Sequence, residues 1–139
     1  MLTMLIAVDG SKPSERAVKH AVALHASGMS FRVLLLNVQP EWAPARSRDE
    51  KREGMRLHLE ATDRETRFAK SLLAQAGISW KSALRVGDAA HEILKLAREK
   101  RCGHIVMGTR GRGAVAGLVL GSVSMKVLQL ASVPVTLVK

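Results

Sequence analysis

The stretch GTRGRGAVAGLVLGS, residues 108–122, lies between two short apolar runs and passes from loop-like to helical at its end. Gly108 and Gly111 are separated by two residues, and Gly121-Ser122 follows after nine more. Glycine lets backbone N–H groups approach an anion that side chains would otherwise screen. A helix beginning at Ser122 would turn its free N–H groups and positive dipole end on the same anion. The stretch predicts a phosphate cradle between a strand and a helix.

The rest of the chain repeats that order. LTMLIAV (residues 2–8) is an almost wholly apolar run that stops at Asp9-Gly10-Ser11, as expected of a strand buried on both faces. Pro13 suits a first helical turn, and Ala17, Val18, Ala21, Val22 and Leu24 keep helical spacing up to Gly28. FRVLLLNV (residues 31–38) predicts a second strand, followed by a charged, proline-bearing loop. A charged helix is expected over residues 52–76, with Ala61, Phe68, Leu72 and Ala76 on its buried face and Gly77 as its stop. Residues 78–86 predict a third strand, and Asp88 caps a helix that runs to about residue 100 with Ala90, Ile93, Leu94 and Ala97 inward. Residues 104–109 form a fourth strand, 122–131 a last helix and 134–138 a fifth strand. Strands alternating with helices require crossover connections, so the fold class is α/β, a parallel sheet with helices on both faces. The whole chain, 1–139, reads as a single domain without repeats.

Composition narrows the partners. Apolar residues make up 47% of the chain but aromatics only 3%, which disfavours the stacking platforms of single-stranded nucleic-acid binders. The lone Cys102 can form no internal disulfide and reads as a core thiol. No signal-peptide pattern and no apolar run of about 18 residues occurs, so a cytoplasmic protein with no membrane association is expected. The net charge of +10 raises nucleic acid as a partner, but residues 81–139, which contain the glycine loop, hold ten Lys/Arg against three Asp/Glu. Part of the excess therefore sits beside the cradle, and the rest reads as a solvated basic surface.

In sheets of this class ligands bind beyond the carboxyl ends of the strands, where the winding reverses. Gly111 and Gly121 are the candidates for backbone contact with phosphate. Ser122 could cap the last helix or donate its hydroxyl to phosphate, and Ser124 could add a second hydroxyl. Arg110 and Arg112 could neutralise phosphate charge or be merely solvated. Asp9 closes the first strand, where it could accept ribose hydroxyls, hold a phosphate-bound Mg²⁺ indirectly through water, or make an Asx-turn. Stronger motifs fail. Gly117 to Ser122 lacks the lysine and spacing of a Walker A loop. Gly111, Gly113 and Gly117 imitate a dinucleotide fingerprint, but no acid follows to bind a ribose. The five histidines show no metal-ligand spacing, and no catalytic triad can be assembled.

The spacing Gly108-x2-Gly111-x9-Gly121-Ser122 after a strand ending in Met107, together with IAVDGS, LLLNV and RVGDAAHEIL, resembles the universal stress protein family over essentially the whole chain. The resemblance implies an open five-stranded sheet of order 3-2-1-4-5, of the adenine nucleotide alpha hydrolase-like type, binding ATP (or AMP/ADP), with Mg. It places Ala7, Asp9 and Val38 at adenine and ribose, with the Val38 backbone reading adenine. Met107, Gly108, Gly111, Gly121, Ser122 and Val123 would surround ribose and phosphates. It also implies a homodimer through the apolar PVTLV that starts at Pro134 and ends at Val138, a short strand that would otherwise leave an open edge. The expected function is stress-response regulation by nucleotide-dependent conformation or dimerisation. Slow ATP hydrolysis is the enzymatic alternative, with no general base in view, and a basic module for nucleic acid or an acidic partner is the other; on the resemblance, nucleic acid is the lesser expectation.

Overall fold

In the computed structural model, which describes residues 1–111 and 120–139, nine elements alternate in the expected order. They are β1 (Leu2–Ala7), α1 (Lys12–Ala26), β2 (Phe31–Gln39), α2 (Arg48–Gln75), β3 (Trp80–Val86), α3 (Ala89–Glu99), β4 (His104–Gly108), α4 (Ser122–Leu130) and β5 (Val135–Val138). The five strands form one parallel sheet of order β3-β2-β1-β4-β5. Winding runs outward from β1 through β2 to β3, then returns to β4 and β5 on the other side. The switch point therefore falls between the carboxyl ends of β1 and β4.

The continuous apolar runs are explained by burial on two sides. Met4, Ile6, Val33, Leu35 and Val106 face α1 and α2, packing on Ala17, Val18, Ala21, Ala69 and Leu73. Leu5, Leu34, Leu36, Ile105 and Met107 face α3 and α4, packing on Ile93, Leu96, Ala97 and Val127. Each fully buried Leu or Ile contributes on the order of 2 kcal/mol from removal of apolar surface from water. Cys102 belongs to the second of these cores, and burial pushes its thiol above the usual range.

Two boundaries lie two or more residues from the sequence expectation, and one helix buries a wider face. Helix α2 starts at Arg48, inside the segment expected to be loop, because the Ser47 hydroxyl accepts the Glu50 N–H at 3.1 Å and the Glu50 carboxylate accepts the Arg46 N–H at 2.6 Å. Strand β3 begins two residues later than expected, because the Ile78 N–H closes α2 by donating to the Leu73 carbonyl at 3.0 Å. Leu72 of α2 and its C-cap Ala76 pack on the core as expected, but the buried face is wider. His58, Glu65, Thr66, Ala69 and Leu73 face inward, whereas Phe68 is 38% exposed. A polar strip packs inward because β2 offers it buried polar partners, Asn37 and Gln39.

Candidate nucleotide-binding site

Strand β1 ends at Ala7, and the chain turns sharply through Val8, Asp9 and Gly10, the last at φ +82°. The turn is held from below. The Val8 N–H donates to the Leu36 carbonyl at 2.9 Å, and the Val8 carbonyl accepts the buried Asn37 Nδ2 at 2.9 Å. Asn37 Oδ1 in turn accepts from Gln39 Nε2 at 2.7 Å and Thr62 Oγ1 at 2.9 Å, and Gln39 Nε2 also donates to Glu65 at 3.0 Å. This buried network fixes the turn to β2 and α2. Asp9 Oδ1 accepts the Ser11 N–H at 3.0 Å, the Asx-turn geometry, and Ser11 caps α1 by accepting from the Ser14 N–H at 3.3 Å.

From the other side of the switch point comes β4. A Cβ on Gly108 would stand 2.6 Å from Pro13 Cβ and 2.8 Å from the Pro13 carbonyl carbon, so the strand end lies directly on the first turn of α1. A Cβ on Gly111 would overlap Asp9 Oδ2. The glycine at this position thus lets backbone stand against a carboxylate carried a hundred residues upstream. The Gly121 N–H donates to the Thr109 carbonyl at 2.7 Å and returns the chain to the strand end before α4 begins.

Between these parts lies a cavity of about 330 Å³, within the range of small-molecule sites. Of the residues singled out in the sequence, Ala7, Asp9, Val38, Met107, Gly108, Arg110, Gly111, Gly121, Ser122, Val123 and Ser124 line it. Arg112, Gly113 and Gly117 lie outside the described residues. Its floor and far wall include residues that sequence reasoning missed: Val8, Ser14, Leu36, Ala89 and Ile93. Ile93 reads in sequence as a core position of α3, and only the place where the helix meets the sheet shows that one end of that core is a cavity wall. Apolar surface therefore concentrates at β1, β2 and α3, and backbone donors at the glycines.

Two hydroxyls act differently from the sequence expectation. Gly121, with extended backbone at φ −77° and ψ 168°, is the N-cap of α4, and Ser122 is its first helical residue rather than its cap. Among the described residues no side chain caps this helix, and its positive end opens on the cavity. Ser124 is only 2% exposed, and its hydroxyl is 2.9 Å from both the Gly108 and Thr109 carbonyls. That hydroxyl donates to the carbonyls and ties α4 to the end of β4. Ser124→Ala is expected to lower stability by about 1–2 kcal/mol, because buried carbonyls lose a donor; a thermal melt at unchanged midpoint would contradict this.

The family model described as the universal stress protein family matches residues 1–139. The universal stress protein YxiE of Bacillus subtilis is 35% identical over 153 aligned residues, covering 98% of this chain and 97% of that protein. Among solved structures, the protein MJ0577 superimposes with a TM-score of 0.82 at 28% identity, covering 99% of this chain and 95% of its own. A universal stress protein in complex with cAMP superimposes with a TM-score of 0.64 at 27% identity, covering 99% of this chain and 97% of its own.

Proposed function

This chain belongs to the universal stress protein family, and on that premise we propose that its cavity binds an adenine nucleotide, ATP or its products AMP and ADP, and that occupancy regulates a stress response through conformation or dimer state. The observation that carries the reading is the contact of Gly111 backbone with the Asp9 carboxylate at the switch point, inside a cavity onto which the positive end of α4 opens. The complex of a relative with cAMP supports the same ligand class.

The residues present fit such a ligand. Ala7, Leu36, Val38 and Ile93 supply an apolar slot for the base, and the Asp9 carboxylate stands where ribose hydroxyls can donate to it. N–H groups of Gly111, Ser122 and Val123, with Arg110 beside them, suit phosphate. A Mg²⁺ would be carried by the phosphates, with Asp9 reaching it through water. Strand β5 pairs with β4 on one side only and stands at the edge of the sheet, which supports a homodimer formed through it.

Native mass spectrometry of freshly purified protein, with calorimetry against ATP, ADP, AMP and cAMP with and without Mg²⁺, tests the reading. One adenine nucleotide per chain and a dimeric mass are expected. Absence of binding by all four nucleotides up to about 1 mM, where the binding free energy is about −4 kcal/mol, would overturn it.

A further inference from the structure

Helices α1, α2 and α3 end in the same way. The residue two beyond the last helical one donates to the carbonyl three positions back, and the next donates five back: Gly28 to His25 and Met29 to Leu24, Gly77 to Ala74 and Ile78 to Leu73, Arg101 to Arg98 and Cys102 to Ala97. This Schellman closure needs a left-handed residue, for which glycine carries no Cβ penalty. Gly28 (φ +103°) and Gly77 (φ +72°) fill it in α1 and α2. In α3 it is filled by Arg101 at φ +52°, which among the described residues is the one non-glycine with positive φ. A strained backbone position retained in a charged residue points to a use for the charge.

Arg101 is not alone. The Gly103 N–H donates to the Thr3 carbonyl at 2.9 Å, which sets the end of α3 beside the start of β1. Arg32 donates through Nε to the Thr3 hydroxyl at 3.2 Å, on the face of the sheet that α3 covers. One pleat further, Lys81 is paired with Leu34, which packs toward that same face. Arg32, Lys81, Arg98, Lys100 and Arg101 are all exposed. Of the twelve acids in the chain only Glu99 joins them, and it is held by Arg85 at 2.8 Å. Asp88 and Glu92 stand at the opposite end of α3, Asp9 at the cavity, Glu15 in the first turn of α1, and the other seven lie between residues 41 and 65, after β2 or on the helix packed against the other face. The patch thus lies at the amino ends of the strands, roughly 20 Å of strand away from the cavity.

The geometry points to a second binding surface here, for the phosphate backbone of duplex nucleic acid. Five cations gathered on an open face with a single neutralised acid match a dense line of phosphates. The exposed aromatic side chains Trp42 and Phe68 lie on other elements, so the patch offers no stacking platform for single strands. The inference does not depend on the nucleotide reading, since the two sites occupy opposite ends of the sheet.

Fluorescence anisotropy of a labelled random-sequence DNA duplex against the full chain tests it. If all five cations reach phosphates, log affinity falls against log salt with a slope of about −4.5, roughly a 500-fold loss between about 50 and 200 mM salt. Lys81→Glu and Arg101→Gly should each flatten the slope by about 0.9, while Arg52→Glu on α2 leaves it unchanged. Arg101→Gly should at the same time raise the melting midpoint by about 3 °C, because the left-handed strain is removed. Weaker binding by a more stable protein is an outcome that misfolding cannot produce. Wild-type slope and affinity in both patch variants would overturn the proposal. So would tighter binding of poly-glutamate or phosphatidylserine vesicles than of the duplex. Duplex binding should persist with the nucleotide cavity saturated, and competition by ATP would overturn the separation of the sites.

Discussion

Gly111→Val is expected to abolish adenine-nucleotide binding while leaving the fold in place. Any Cβ at position 111 overlaps Asp9 Oδ2, which is the far end of a side chain with two rotatable bonds. Asp9 can therefore give way at little cost to stability, but only by leaving the position from which it faces the cavity and by breaking its bond to the Ser11 N–H. A carboxylate hydrogen bond to ribose is worth about 1.5–3 kcal/mol, and valine methyls would add direct obstruction, so a loss of 100-fold or more in affinity is expected. Calorimetry with Mg-ATP measures it, alongside circular dichroism for the fold. Gly121→Ala is the comparison. At φ −77° its added Cβ would stand 3.6 Å from Arg110 Cα and the Thr109 carbonyl oxygen, an ordinary contact, so the fold accepts alanine there. If Gly111→Val still binds like the wild type, the contact between Asp9 and the loop has no part in ligand recognition.

Gly108→Ala should have the opposite signature, a large loss of stability. Its Cβ meets the ring and backbone of Pro13, and neither can rotate away. Either β4 or the first turn of α1 must move, and both carry full core packing at Val106 and Ala17. Overpacking of this kind costs about 1–3 kcal/mol, and disturbance of the Ser124 clamp on the Gly108 carbonyl adds to it, so the melting midpoint should fall by about 7–10 °C. A midpoint within about 2 °C of the wild type would show that the strand and helix separate more readily than their packing implies. Two glycines three residues apart are thus expected to fail in different ways, one in binding and one in folding.

The same pair shows how the sequence can and cannot be read. Glycine spacing marked both as special, but the spacing is identical whether a glycine admits a ligand, a carboxylate or a proline ring. Ser124 is a similar case. Its place in the chain suggested a phosphate donor, while its position one turn inside α4 puts the hydroxyl on the carbonyls at the end of β4. The early start of α2 was legible, since Ser47 followed three residues later by Glu50 is a capping pattern. The buried polar face of α2 was not. Apolar periodicity passes over Glu65 and Asn37, which are buried because Gln39 and Thr62 donate to them.

The alternation of strands and helices, the two-sided burial of β1, β2 and β4, and the glycines and Asp9 that surround one cavity were readable from the amino-acid order alone. These follow from local preferences and periodicity, which each segment carries alone. Packing of the whole chain was needed to set Gly111 against Asp9, Gly108 against Pro13 and Ile93 in the cavity wall, and to leave Arg32, Lys81 and Arg101 at the same end of the sheet. Those are contacts between segments far apart in the chain. They are set by strand order and crossover geometry, and no single segment contains that information.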